Sequence, residues 1–121
     1  MRISSLIPMQ PVKNVSVGIA FYEKLGFVVE NRHAEWGWVI LRCGDCRLML
    51  DESINVAAGA RRAAVLYLYP EDIVDFHRAA KENGLPVPDL GVTFYGMNEF
   101  RMEDPDGNRL WMGQADGRSD A

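Results

Sequence analysis

The sequence predicts an α+β fold in which one βαβββ pattern is written twice. Three observations carry that prediction. Gly44-Asp45-Cys46-Arg47-Leu48-Met49-Leu50 reappears in residue type and turn context 62 positions later, over the run from Asp106 to Met112. Val12-Lys13-Asn14-Val15 with Gly26 is echoed 58 positions later by Pro70-Glu71-Asp72-Ile73 with Gly84, and two agreeing offsets are the mark of an internal repeat. Finally, residues 102–114 read as strand, tight turn and strand. Asp104 and Asp106 fold their carboxylates onto nearby N–H groups, Pro105 presets φ, and Gly107-Asn108 accept positive φ.

Taken in order, residues 3–13 alternate loosely and carry Pro8 and Pro11, which suits an edge or irregular first strand. Val15, Ile19 and Tyr22 then recur at i, i+4 and i+7, with Asn14 as N-cap and Gly26 as C′ glycine, predicting a helix over 15–25. Residues 27–32 are rich in β-formers, 36–42 alternate, and 46–51 alternate after a Gly44-Asp45 hairpin turn. The small, aperiodic stretch 51–62 connects the halves. The second half begins with a strand at 63–69 and a helix whose apolar face is Ile73, Phe76 and Ala80, ended by Gly84. Residues 85–98, with Pro86, Pro88, Gly91 and Gly96, form a loop or weak strand suited to lie over a site. Strands at 99–103 and 108–114 close the chain. The expected organisation is one domain, with modules at about 1–54 and 62–115 and a frayed tail at 115–121.

The chain has 121 residues, 48% of them hydrophobic and 25% charged, so a usable core can form. A formal charge of −4, with no basic cluster beyond Arg61-Arg62, argues against nucleic acid or an anionic membrane as partner. No apolar run approaches the roughly 18 residues that span a bilayer, and the N-terminus lacks a signal-peptide pattern, so cytoplasmic residence is expected. Two cysteines, Cys43 and Cys46, are too few for a disulfide scaffold.

Four segments resemble the vicinal oxygen chelate superfamily of glyoxalases, bleomycin resistance proteins and extradiol dioxygenases. They are Pro11-Val12-Lys13-Asn14, Phe21-Tyr22-Glu23-Lys24-Leu25-Gly26-Phe27, Tyr95-Gly96-Met97-Asn98-Glu99-Phe100-Arg101 and Asp104-Pro105-Asp106-Gly107-Asn108. The resemblance covers nearly the whole chain and is nearest to the bleomycin-resistance type. It implies two βαβββ modules with curved mixed sheets around a cleft, in a homodimer. Metal-using members place His, Gln or Glu on the first and last strand of each module. The corresponding positions here are Ile7, Met49, Val65 and Trp111, none of which suits a divalent ion. The resemblance therefore implies no metal, no cofactor, and a binding protein that sequesters an antibiotic or related metabolite.

Strand alternation from these positions brings Met9, Tyr67, Tyr69, Arg47 and Arg109 onto the same face. Counting across the Asp104 turn adds Glu99 and Arg101 and puts Phe100 and Met102 under the helices. Trp36 and Trp38 are assigned to the cleft together. The expected ligand-binding set is thus Met9, Trp36, Trp38, Met49, Tyr67, Glu99, Arg101 and Trp111, rings and thioethers with Glu99 and Arg101 as polar groups, which suits a flat aromatic or cationic ligand that stacks on rings and meets a carboxylate at one end.

Competing readings stay open at this point. Trp36 and Trp38 also suit a core or dimer interface, and Glu99 with Arg101 suits a surface cross-strand pair. Cys43-Gly44-Asp45-Cys46 has redox-pair spacing but reads as packing or a bystander thiol pair. His33 ends a strand and His77 reads as a solvated helix residue, with no nucleophilic partner for either. The alternatives in function are an enzyme of the same superfamily, working without metal or recruiting one through His33, Glu99 or Asp51, and a module that binds another protein.

Overall fold

The computed structural model describes residues 1–57 and 59–117, which divide into two compact units, Met1–Ala60 and Arg61–Ala121. The first contains β1 (Met9–Pro11), α1 (Val15–Glu23), β2 (Val28–His33), a 3-10 turn (Ala34–Trp36), β3 (Trp38–Cys43) and β4 (Cys46–Asp51). Its sheet runs β1-β4-β3-β2, with β1 parallel to β4 and the rest antiparallel. The second contains β5 (Val65–Leu68), α2 (Ile73–Glu82), β6 (Gly91–Val92), β7 (Met97–Glu103) and β8 (Arg109–Ala115), in the equivalent order β5-β8-β7-β6. β5 and β8 are parallel, so both sheets are mixed. The α+β fold of two βαβββ modules is therefore present.

In each unit a helix covers one sheet face. Val39, Leu41, Leu48 and Leu50 alternate onto the α1 side and are buried with Val15, Ile19 and Tyr22. Each such aliphatic side chain contributes about 1.5–3 kcal/mol by leaving water. The helix approaches closely because residue 18 is glycine: a Cβ there would lie 2.7 Å from Leu50 Cδ1. In the second unit Phe100, Leu110 and Met112 are buried on the face that α2 covers with Ile73 and Ala80.

The start of each helix is held from the end of its own sheet. Asn14 and Asp72 cap by accepting from Val17 N and Asp75 N at 3.1 Å. In addition Glu52, just past β4, accepts from Val15 N at 2.9 Å, and Gln114 in β8 accepts from Ile73 N at 2.9 Å while donating to Glu71 O. These two latches are separated by 58 positions on the helix side and 62 on the strand side, the offsets of the sequence repeat.

Several expectations are corrected. The first strand is confined to Met9–Pro11, because Pro8 and Pro11 have no N–H to give a ladder, and Ile7 precedes it. Trp36 is not in a strand: the chain turns through Ala34–Trp36 and Gly37, at φ 63°, before β3 starts. Asn108 does not take positive φ; only Gly107 does in that turn. His77 is tied down, with Nε2 2.7 Å from Pro88 O and its ring edge-on to Phe100 at 5.0 Å. Strand β8 runs to Ala115, and residues 118–121 of the expected frayed tail lie outside the described residues.

Candidate functional site

Each sheet leaves one face uncovered by its helix, and strand register decides what stands there. In the first unit Met9, Met49 and Ile40 are direct cross-strand neighbours, and Trp38 pairs with Asp51 and His33. Arg47 and Arg42 share this face, and the irregularity between Val29 and Asn31 lets Glu30 reach Arg47, whose Nε donates to both its carboxylate oxygens at 3.0 Å. Trp36 reaches the same neighbourhood from its turn by stacking on His33 at 4.0 Å, with Trp38 5.7 Å from that imidazole. His33, Trp36, Trp38, Asp51 and Ser53 line a shallow hollow of about 360 Å³.

In the second unit Tyr67, Trp111 and Arg101 form one cross-strand row, and Glu99 lies opposite Gly113 in the next. The Arg101 guanidinium carbon sits 3.4 Å above the Trp111 ring, a close cation–π stack, and the Arg109 guanidinium is 5.7 Å away. The Tyr67 ring meets Trp111 edge-on at 6.3 Å and stacks on Tyr69 at 4.7 Å.

Glu99 holds this row together. It is 6% exposed, and its carboxylate accepts from Tyr67 Oη at 2.6 Å, Tyr95 Oη at 2.7 Å and Arg101 Nε at 2.9 Å. Burial opposes its ionisation, but the bonds from Tyr67, Tyr95 and Arg101 outweigh that and hold the carboxyl below its usual range. Burial, and then the bond to Glu99, push the Tyr67 phenol well above its ordinary value. Glu99 is thus a charged acceptor already served by three donors, not an open carboxylate awaiting a cation. Tyr95 and Gly113 are the members that sequence reasoning missed. Tyr95 precedes β7 in a turn whose direction no periodicity predicts, although it lies inside the motif that carries the resemblance. Gly113 matters by lacking a side chain.

A Cβ at Gly113 would lie 2.4 Å from Tyr67 Oη and 3.1 Å from its Cζ. Gly113→Ala is therefore expected to push Tyr67 off Glu99 and to lower stability by about 1–3 kcal/mol. Chemical denaturation checks the loss, and Tyr67→Phe, which removes only the hydroxyl, should recover part of it in the double variant.

The donors do not fit a metal. Met49 and Trp111 occupy central positions of the open faces and pair with Met9 and Tyr67, while Val65 pairs with Arg109 and Ile7 stands outside the strand. A thioether, an indole and two aliphatic side chains offer nothing to a hard or borderline ion. Among the described residues no group of three or more His, Cys, Asp or Glu is placed to hold one. Cys43 and Cys46 face each other across the β3–β4 hairpin as free thiols. Burial, followed by the neighbouring Cys46, raises Cys43, the wrong direction for a reactive thiolate.

With two mixed sheets, each helix-backed on one side, the relatives can be placed. The profile of the Glyoxalase/Bleomycin resistance protein/Dioxygenase superfamily matches residues 6–112. The chain belongs to that superfamily. Among similar solved structures, the bleomycin resistance determinant encoded on transposon Tn5 is 26% identical, covering 93% of this chain and 98% of its own, with a TM-score of 0.75. A bleomycin-binding protein complexed with bleomycin is 26% identical over 93% and 98% of the two chains, with a TM-score of 0.74. TnmS3, an antibiotic binding protein from Streptomyces sp. CB03234, is 25% identical over 95% and 98%, with a TM-score of 0.77. No curated protein sequence matches significantly. No helix among the described residues is long and apolar enough to cross a membrane.

Proposed function

We propose that this protein is a metal-independent binding protein that sequesters an aromatic antibiotic or a related metabolite. It acts in the cytoplasm as a homodimer, with the ligand in a cleft at the interface between copies. The observation that carries the reading is the Tyr67–Trp111–Arg101 row. Tyr67, a guanidinium stacked on the indole and the carboxylate of Glu99 surround Trp111, one of the positions where the resemblance puts a donor group in metal-using members. Such a surface binds flat molecules by stacking and burial and has no group positioned to break a bond in them. Met9, Met49, Trp36 and Trp38 supply adaptable thioether and ring surface on the open side of the first unit. The antibiotic-binding relatives support the same reading.

Calorimetric titration with a panel of aromatic antibiotics, bleomycin included, tests it. At least one compound is expected to bind at micromolar level, and Trp111→Ala should weaken that binding by roughly tenfold or more, the loss typical of a central aromatic contact. Absence of binding across the panel, or equal affinity in the variant, would remove the proposal. Metal bound stoichiometrically to protein purified without chelators would favour an enzyme instead.

A further inference from the structure

The charge of the ligand follows from how the polar groups around Trp111 are already committed, and this step rests on the ring-binding reading above. Glu99, one row from Trp111 on this face, is buried and takes hydrogen bonds from two phenols and a guanidinium. Its negative charge is turned inward and spent. Both charged groups that lie over the indole are guanidinium ions, Arg101 at 3.4 Å and Arg109 at 5.7 Å. Glu103 is the cross-strand neighbour of Arg109, one step further toward the turn, so it lies beyond the ring from Glu99.

Arg101 is half exposed, and its geometry is fixed on one side only. Nε is held by Glu99 and one terminal nitrogen donates to Tyr95 Oη at 3.2 Å, while one flat face rests on Trp111. A guanidinium carries five N–H donors in its plane, so these two bonds leave others at the edge of a half-exposed group, open to an incoming acceptor. An incoming ring that stacks on that outer face would continue a Trp111–Arg101–ligand sandwich. An anionic substituent on the ring would receive the remaining donors. A cationic ring in the same place would meet the Arg101 guanidinium directly, while the exposed carboxylate of this face, Glu103, stands in the next row opposite Arg109.

We infer that the second unit selects a planar aromatic anion, a ring bearing a carboxylate, sulfonate or phenolate, and that Arg101 sets this preference. The selected chemistry departs from the cationic ligand that Glu99 suggests when read from sequence.

Three tricyclic probes of nearly equal shape test the inference by calorimetry near neutral pH: acridine-9-carboxylate as anion, acridine as neutral ring and 9-aminoacridine as cation. The carboxylate is expected to bind about tenfold tighter than acridine, with 9-aminoacridine weakest, and added salt should narrow the differences. Arg101→Gln should bring the three probes to similar affinity. Arg101→Lys, which keeps the charge but not the planar fork, should retain a reduced preference for the anion. The comparison within the unaltered protein needs no variant, so a variant that folds poorly leaves a decisive result. Acridine or 9-aminoacridine binding as tightly as the carboxylate, or the preference surviving in Arg101→Gln, overturns the charge assignment and leaves ring binding standing. Failure of all three probes and of the antibiotic panel overturns both.

Discussion

Replacing Glu99 by alanine is expected to cost about 2–4 kcal/mol of stability, the largest loss for any single residue of the site. The carboxylate is buried and accepts from Tyr67, Tyr95 and Arg101. Removing it leaves two phenols and a guanidinium without their shared acceptor, and the cost of stranded donors exceeds the modest net gain of any one bond. Because Arg101 is half exposed, water recovers part of its share, which keeps the figure below that of a fully buried ion pair. The loss should appear as a melting temperature lower by about 10 °C in circular dichroism. Glu99→Gln should fall between, since its amide keeps an acceptor but turns an N–H toward groups that donate. The pH dependence has a definite sign. The folded carboxyl titrates below its ordinary value, so its contribution is complete above the unfolded value of about 4.3 and disappears as pH falls through the lower folded one. The gap between wild type and Glu99→Ala should therefore be constant near neutrality and close in acid. A gap that widens on acidification would contradict the bonding described.

Asp104→Ala is expected to be nearly as damaging, at about 2–3 kcal/mol, although it lies in a turn. One carboxylate oxygen accepts from the N–H groups of Asp106 and Asn108 at 2.9 Å, and the other from Asn108 Nδ2 at 2.8 Å. Asp104 is 5% exposed and Asn108 1% exposed, so water does not readily replace the lost acceptor. Asn108 Oδ1 in turn accepts from Arg62 Nε at 3.0 Å, and the disturbance should reach the segment that leads into β5. Urea denaturation measures the loss. Asp104→Asn, which preserves one acceptor oxygen, should cost clearly less, and equal losses in the two variants would mean that the turn does not depend on these bonds.

What the sequence made legible follows from short-range chemistry. The Asp104 turn has a known length, so counting across it placed Glu99, Arg101 and Trp111 on one face and Phe100 on the other, as the β7–β8 register has them. The repeat offsets carried that register to the other half. Long-range pairing was not legible in the same way. That Met9 lies opposite Met49 and Tyr67 opposite Trp111 depends on parallel pairings that no turn dictates, so alternation could place these residues on a face but not in a row. Trp36 shows another limit: alternation assumed a strand, and Gly37 in the left-handed region ends that assumption. Hydrogen bonding within the site was out of reach altogether. Glu99 reads as an available charge until Tyr95, from a turn, and Tyr67, admitted by the space over Gly113, are seen to close around it.

The bonds from Glu52 and Gln114 to the first turn of each helix tie together two segments that are distant along the chain. A helix that lifts from its sheet must also break this bond, so each latch couples the opening of the helix start to the end of the closing strand in its own half. In amide exchange, Val15 and Ile73 should accordingly lose protection at the same rate as the closing strands of their own halves, instead of fraying early as the first residues of short helices otherwise do.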